Sequence, residues 1–424
     1  MKKRILVLLL SFVLTFIIYG KTTIKLNGYY KSFLSVFSLP DEMSGMFGEF
    51  NKTIGAVSNN LQLRTVIKFN STLSLEAAYN FSPTIKDPLL FSGSAFPNTS
   101  LGSGYRLEDL NELIYPKIIQ KSTGFGIYQN LDRLSLTIQT DFADIFIGRQ
   151  PIAWGSARVI NPTDILSPFT FNELDKEERR GVDAIRVRIP IGDMSEFDIG
   201  YVVNKDLKIE TNAVFIRGKT ELFNSDVSFS FVKFYNNLMI GADISGAIGG
   251  SGFWIESAYI MSSIFDDALI NQQNTELRNY FRLSTGLEYS FSNKTYGFVE
   301  YHFNSLGENN PNNYLTITQS QEFKEGSIYL SGKHYINIGL TYTLTPLTPI
   351  NGLIIYNLKD KSLIFAPTIE YNISQNIYLA IGGYFAIGKK ARILPSLMPS
   401  SPIIPTSEFG FSPSILYSSF RVYF

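Results

Sequence analysis

Leu416-Tyr417-Ser418-Ser419-Phe420-Arg421-Val422-Tyr423-Phe424 ends the sequence, and Leu416, Phe420, Val422 and Phe424 fall mostly two residues apart. A period of two places them on one face of a β-strand and the residues between them on the other. The same period recurs upstream. Leu61, Leu63, Ile67 and Phe69 alternate with Gln62, Arg64, Lys68 and Asn70, and Leu73, Leu75, Ala77, Tyr79 and Phe81 with Ser74, Glu76 and Asn80. Further copies run through Phe281–Tyr289, Ile336–Tyr342 and Leu363–Tyr371. A soluble sandwich also alternates, but its strands average about five to six residues. These run roughly nine to twelve, and ten residues at ~3.3 Å, tilted about 40°, rise roughly 25 Å, the height of a bilayer's apolar band.

About eighteen such segments are expected, an even number as single-chain barrels require. They begin near Ile24, Asn60, Thr72, Asp132, Phe142, Val182, Glu196, Ile209, Ser225, Asn237, Gly252, Asn279, Lys294, Lys333, Ile350, Lys361, Gln375 and Pro413. Sixteen result if the weak segments near Ile209 and Ile350 are dropped. The long gaps (Val36–Asn59, Ser82–Leu131, Pro151–Gly181, Ser262–Arg278, Asn304–Gly332 and Gly388–Ser412) are all odd-numbered. The even ones are short, so the long connections share one end. In lipid an open sheet leaves backbone groups unpaired, so the Ile24 strand must meet the Phe424 strand. The fold class is all-β, a transmembrane up-and-down antiparallel β-barrel with long extracellular loops, one or more folded into the lumen. Eighteen strands imply a diameter of roughly 35 Å, too wide for wall side chains to fill.

Composition agrees. Hydrophobic residues make up 45% of 424, yet past residue 20 no apolar run reaches the ~18 residues a membrane helix needs. Lys2, Lys3 and Arg4 precede an apolar run from Ile5 to Tyr19 and then Gly20. That is the pattern of a signal peptide over residues 1–20, cut near Gly20, leaving a single barrel domain over 21–424 with inserted loops 82–131 and 151–181. Acidic and basic residues are balanced at 37 each, which is no nucleic-acid signature. With no Cys, disulfides and thiolate chemistry are excluded, and the two histidines, His302 and His334, sit on opposite strand phases. The chain reads as no enzyme, with no catalytic residue, metal or cofactor.

The terminal strand resembles that of bacterial outer-membrane barrels, and this resemblance makes Phe420, Val422 and Phe424 the assembly signal and the barrel-assembly machinery a partner. In the inward phase, the first six strands carry Lys25, Lys31, Arg64, Lys68, Arg133, Arg186 and Arg188 against Glu76. Later strands carry Glu196, Asp198, Glu210, Asp226, Asp243, Glu256, Glu288, Glu300 and Glu370 against Arg282. The expectation is a basic arc facing an acidic one, with a transverse field that orients dipolar solutes. Solvated wall charges with no net field are the alternative.

The densest motif runs Gly148-Arg149-Gln150, Trp154-Gly155, Asn161-Pro162, Asp164, then Arg180-Gly181-Val182-Asp183-Ala184 and Arg186. These roughly 40 residues resemble a signature of a largely uncharacterised family of bacterial outer-membrane porins, akin in architecture to alginate-export barrels. The resemblance implies a loop tucked into the pore. The residues agree. Asn161-Pro162 starts a turn, and Asn172–Arg180 carries helix-forming charge pairs. The charged groups Arg149, Arg158, Arg179, Arg180, Arg186, Asp164, Asp175 and Asp183 fit a network pinning the loop to the wall. An ordering network without substrate contact fits the same residues. An inward Arg149 conflicts with the phase of Ile145 and Ile147 and demands a bulge or an inverted face. In the second loop, Tyr105–Ile114 has helical spacing.

The constriction candidates are therefore Arg149, Trp154, Arg158, Asn161, Asp164, Arg180, Asp183, Arg186 and Arg188, facing an acidic wall of Glu196, Asp198, Asp243, Glu256, Glu288, Glu300 and Glu370. The expected function is an outer-membrane channel for small hydrophilic solutes. The alternatives are a substrate-specific transporter, for a saccharide, organic acid or hydrophobic compound, and a non-transporting surface adhesin. Partners are outer-membrane lipids, the solutes and a further copy of the chain in a homo-oligomer, with no nucleic acid.

Overall fold

The computed structural model describes residues 22–44, 53–87, 90, 105–107, 113–116, 124–168, 173–205, 207–265, 278–292, 294–393 and 403–424. The expected signal peptide lies outside them. The wall is built from β1 (Thr23–Ser38), β2 (Thr53–Lys68), β3 (Leu73–Lys86), β4 (Phe125–Gln139), β5 (Asp144–Gln150) and β6 (Val182–Ile191). It continues through β7 (Ser195–Val202), β8 (Ala213–Leu222), β9 (Ser225–Phe234), β10 (Asn237–Ile248), β11 (Ser251–Met261) and β12 (Tyr280–Ser292). The last six are β13 (Thr295–Asn304), β14 (His334–Thr345), β15 (Thr348–Asn357), β16 (Leu363–Ser374), β17 (Ile377–Ile387) and β18 (Ser414–Tyr423). Each pairs antiparallel with its neighbour, and β18 returns to β1, giving a closed 18-strand barrel. The weak segments near Ile209 and Ile350 are both wall strands, β8 and β15. The former starts later than its alternation suggests, leaving Glu210 in the connection 203–212 rather than in the wall. β2 and β4 start earlier than expected, at Thr53 and Phe125.

Closure is made by main chain at the last residue. Gly28 N–H donates to the Phe424 carbonyl at 2.8 Å and Phe424 N–H returns to Gly28 at 3.0 Å. With every strand paired on both sides, no edge is left to lipid. Side chains then sort by parity. Leu416, Phe420 and Phe424 face out with Ile24, Leu26, Leu34 and Ile338, all exposed on the outer face. Arg421, Lys31, Asp198, Glu256, Arg282, Glu300 and Asn337 point in.

The long connections leave from one end, and several fold inward. Tyr105 sits in a buried cluster with Trp154, Phe215, Phe234 and Tyr280 on the lumen side. The helical reading of Tyr105–Ile114 fails where it is described, since Leu113–Tyr115 is a short strand on β4; Leu110 lies outside the described residues. Among the described residues no helix is long and apolar enough to cross a membrane.

Parity makes a direct prediction. Ile338→Arg, outward on β14, will cost about 2–4 kcal/mol of folding stability in bilayers, and Thr341→Arg, inward on the same strand, less than about 1 kcal/mol. Urea titration of the liposome-folded protein compares them, and equal costs would contradict the assignment of faces.

Candidate functional site

The connection from β5 to β6, described over 151–168 and 173–181, runs through the lumen in those parts rather than over the mouth. Its entry is set by the motif glycines. Gly148 has φ +113°, a region that favours glycine, and here the alternation of Ile145 and Ile147 ends without a shift in pairing to β4. Gly155 has φ +116°, and a Cβ there would lie 2.4 Å from Asn161 Oδ1 and 2.8 Å from Glu256 Oε2. Trp154 packs edge-on against Phe215 at 4.7 Å and donates Nε1–H to Asp198 at 3.4 Å.

Past Gly155, two wall carboxylates capture the backbone. Glu256 accepts the N–H groups of Ser156 (2.8 Å), Ala157 (2.9 Å) and Thr163 (2.8 Å), and the Thr163 hydroxyl as well (2.8 Å). Glu300 accepts those of Arg158 (2.7 Å), Val159 (3.2 Å) and Ile160 (3.1 Å), with Trp254 Nε1–H and Asn337 Nδ2–H, each at 3.1 Å. The wall also donates, from Ser284 Oγ to the Ile160 carbonyl at 2.6 Å and from Arg282 to the Pro162 carbonyl at 3.3 Å. Arg158 extends along the acidic wall to Glu288, with two N–H bonds of 2.7 Å, its guanidinium 5.1 Å from the Trp254 ring. The turn expected at Asn161-Pro162 forms, Asp164 N–H reaching the Asn161 carbonyl at 3.4 Å.

The returning half carries the acids. Lys31, with a side chain 0% exposed, meets Asp175 at 2.9 Å and Glu177 at 2.7 Å, over the Tyr29 ring at 4.2 Å. Glu177 also pairs with Arg421 and accepts the Tyr423 hydroxyl at 2.5 Å. Glu178 accepts Gln62 Nε2–H at 2.9 Å and lies 3.8 Å from Arg64. The Arg179 carbonyl takes Arg133 Nη2–H at 2.6 Å. The helix expected over Asn172–Arg180 is absent from 173–180, where Asp175, Glu177 and Glu178 turn to Lys31, Arg421 and Arg64 of the wall; Asn172 lies outside the described residues.

The remaining predicted residues divide between wall and loop. Arg149 is buried, bonding Asp183 at 2.8 and 2.9 Å and the Leu131 carbonyl at 2.8 Å. Arg186 is bonded to Asp198 at 2.7 and 2.6 Å, and Arg188 lies 3.9 Å from Glu196. Asp164 pairs with Arg179 inside the loop. Arg180 offers its carbonyl to Ser167 Oγ–H at 2.8 Å. Asp243 accepts the Ser228 hydroxyl and stands 4.0 Å from Arg217. Glu370 pairs with Arg421. The expected single network is therefore broken up, and the ion pairs from loop to wall include Arg158–Glu288, Lys31 with Asp175 and Glu177, Arg421–Glu177 and Arg64–Glu178. Inward Arg217 and Arg421 also break the acidic arc. Reading the inward phase of the quoted terminal segment would have found Arg421; Glu177 and Glu178 carried no signal beyond their charge. His302 is buried beside Ser284 (2.8 Å), and His334, on the outward phase, contacts Tyr301 (2.8 Å).

Between Arg158 and residues 173–177 of the loop and the inward faces of β14–β18 lies a cavity of roughly 520 Å³. Above it, the connection 388–413 sets Glu408 against Tyr335, Asn357 Nδ2–H (2.8 Å) and Ser331 N–H (2.6 Å). Burial pushes the carboxyls of both Asp164 and Glu408 up to about 7, Asp164 against the pull of Arg179.

No protein-family model and no curated protein matches the chain. Among solved structures, OccAB1 of Acinetobacter baumannii matches with a TM-score of 0.56 at 7% identity, over 95% of this chain and 96% of that one. A mutant of the Rh. blastica porin matches at 10% identity over 95% and 100%, with a TM-score of 0.44. At such identities the shared feature is the barrel fold.

Two outcomes follow for the loop. Glu300→Ala removes the acceptor of three loop N–H groups and will cost about 3–5 kcal/mol of docking. It should open 156–178 to protease in the folded barrel, while Glu196→Ala leaves that segment protected. The raised carboxyls favour the docked state most fully below their usual values of 3.8 and 4.5, and that contribution is lost as pH rises through about 7. Cleavage of the loops should therefore quicken between pH 5 and pH 8, measured against a pH-matched unfolded control.

Proposed function

We propose that this protein is an outer-membrane channel for small hydrophilic solutes, narrowed by the 151–181 loop. The observation that carries the reading is the course of that loop. It crosses a closed barrel from Glu256 and Glu300 on β11 and β13 to Lys31 and Arg421 on β1 and β18, nearly across the ring. A wall of roughly 35 Å diameter encloses far more space than its side chains fill. A segment docked through the middle converts that space into a narrower passage along β14–β18. Bacterial porins and Occ outer-membrane channels are among the solved structures sharing the barrel, which supports the same reading.

Solutes on this path meet paired charges on one side and hydroxyl and amide groups on the other. Such a surface passes hydrated molecules and disfavours bulky apolar ones.

Planar-bilayer recording tests the reading. Purified folded protein should give discrete conductance steps, and replacing 156–178 by a short Gly-Ser linker should raise their size severalfold. Silent bilayers would overturn the channel. Arg158→Gln leaves Glu288 without its cation beside this passage, so the reversal potential should move toward cation selectivity. An unchanged potential would contradict the placement of Arg158 at the pore.

A further inference from the structure

The chamber beside the loop has a chemistry narrower than that of a general aqueous pore. Its charged groups face one another. Arg421 is held by Glu177 and Glu370, Asp175 by Lys31, and Arg158 by Glu288. A charged solute would have to displace one of these pairs to gain a partner. Glu173 and Lys176 line it too, the Lys176 ammonium 5.8 Å from the centroid of the Tyr384 ring, and the rest of the lining is uncharged. Thr341 and Asn351 hold each other at 2.8 Å, and Ser419 stands on the inward face of β18. Beside them Tyr384 and Tyr417 lie nearly parallel, ring centroids 6.0 Å apart with 27° between planes, on the adjoining strands β17 and β18. Both hydroxyls are tied down, Tyr384 to the Glu173 carbonyl at 3.1 Å and Tyr417 to Thr368 at 3.0 Å. The tethers fix the rings as an apolar platform inside a polar chamber.

We propose that this chamber binds a short uncharged saccharide or a comparable cyclic polyol, its C–H face against Tyr384 and Tyr417 and its hydroxyls toward Thr341, Asn351 and Glu370. The proposal deepens the channel reading and rests on it. A sugar ring presents one face of C–H bonds and a rim of hydroxyls, the combination that an aromatic platform with a few convergent polar groups selects. The volume of roughly 520 Å³ lies within the ~300–1,000 Å³ typical of small-molecule sites. Paired carboxylates keep lone pairs to accept sugar hydroxyls without losing their cations.

The test uses the full-length folded barrel in a zwitterionic detergent without a sugar head group. Glucose, sucrose and lactose serve as neutral probes, gluconate and choline as charged ones. Titration calorimetry should show saturable millimolar binding of at least one neutral sugar, weakened about tenfold or more by Tyr384→Ala and less than about threefold by Tyr417→Phe, which keeps the ring. Thr341→Trp, filling the chamber from the facing wall, should abolish binding and stands in if Tyr384→Ala does not fold. The same sugar should reduce single-channel current in wild type and not in Thr341→Trp. No saturable sugar binding, tighter binding of gluconate or choline, or indifference to both chamber variants would overturn the proposal. Sugar binding by a barrel that carries no current would sink the channel reading while sustaining the site. Current without sugar binding would do the reverse.

Discussion

The docked loop depends on two wall carboxylates giving acceptors to backbone N–H groups that form no ladder of their own. The segment 156–163 is neither helix nor strand, and each buried N–H without a partner carries a penalty of about 1–3 kcal/mol. Glu256 and Glu300 meet six of these N–H groups between them. Bonds to a charged acceptor contribute more than neutral ones, and the donors in turn offset the desolvation of the buried carboxylates. Neither partner is comfortable alone. A glutamate buried beneath the loop needs donors, and an irregular stretch of loop needs acceptors.

That exchange changes what the wall charges mean. By parity alone, cations gather on the early strands and acids on the later ones, which suggests a field across open water. The loop presents the opposite pattern to each side: bare N–H groups and Arg158 to the acids, and Asp175, Glu177 and Glu178 to Lys31, Arg421 and Arg64. Most of the separated charge is cancelled at contact distance. The field that survives is local, along the gap between loop and wall, and is that of ion-pair dipoles rather than of two charged plates.

The barrel was legible because its determinants are local. Alternation in Leu73–Phe81 or Phe281–Tyr289 states which face is apolar, and the lengths of the gaps state which end is which. Inward charges such as Lys31, Glu256 and Glu300 followed from the same period. The loop's path was not legible, since the groups that anchor it are main-chain N–H donors, which any residue supplies. The stretch Asn172–Arg180 misled for a related reason. Its charge spacing suits a helix, worth only about 0.2–0.5 kcal/mol per pair, and a buried Lys31 offers Asp175 and Glu177 a stronger partner. At Arg149 the sequence posed the right conflict and left its outcome open; Gly148, with its positive φ, marks where the alternation ends, and the guanidinium is taken up by Asp183.

Wall and loop are unequal partners in this arrangement. Each strand satisfies its main chain through its two neighbours, so the cylinder asks little of what fills it. The loop, by contrast, has no hydrogen-bonding ladder and stays in place only while the wall supplies acceptors and cations. Loss of docking therefore leaves a closed barrel with a wider lumen instead of an unfolded chain. The course of the lumen resides in the contacts of the loop, and stability resides in the ladder, which is why substitutions at Glu300 and at Ile338 bear on different properties of the same molecule.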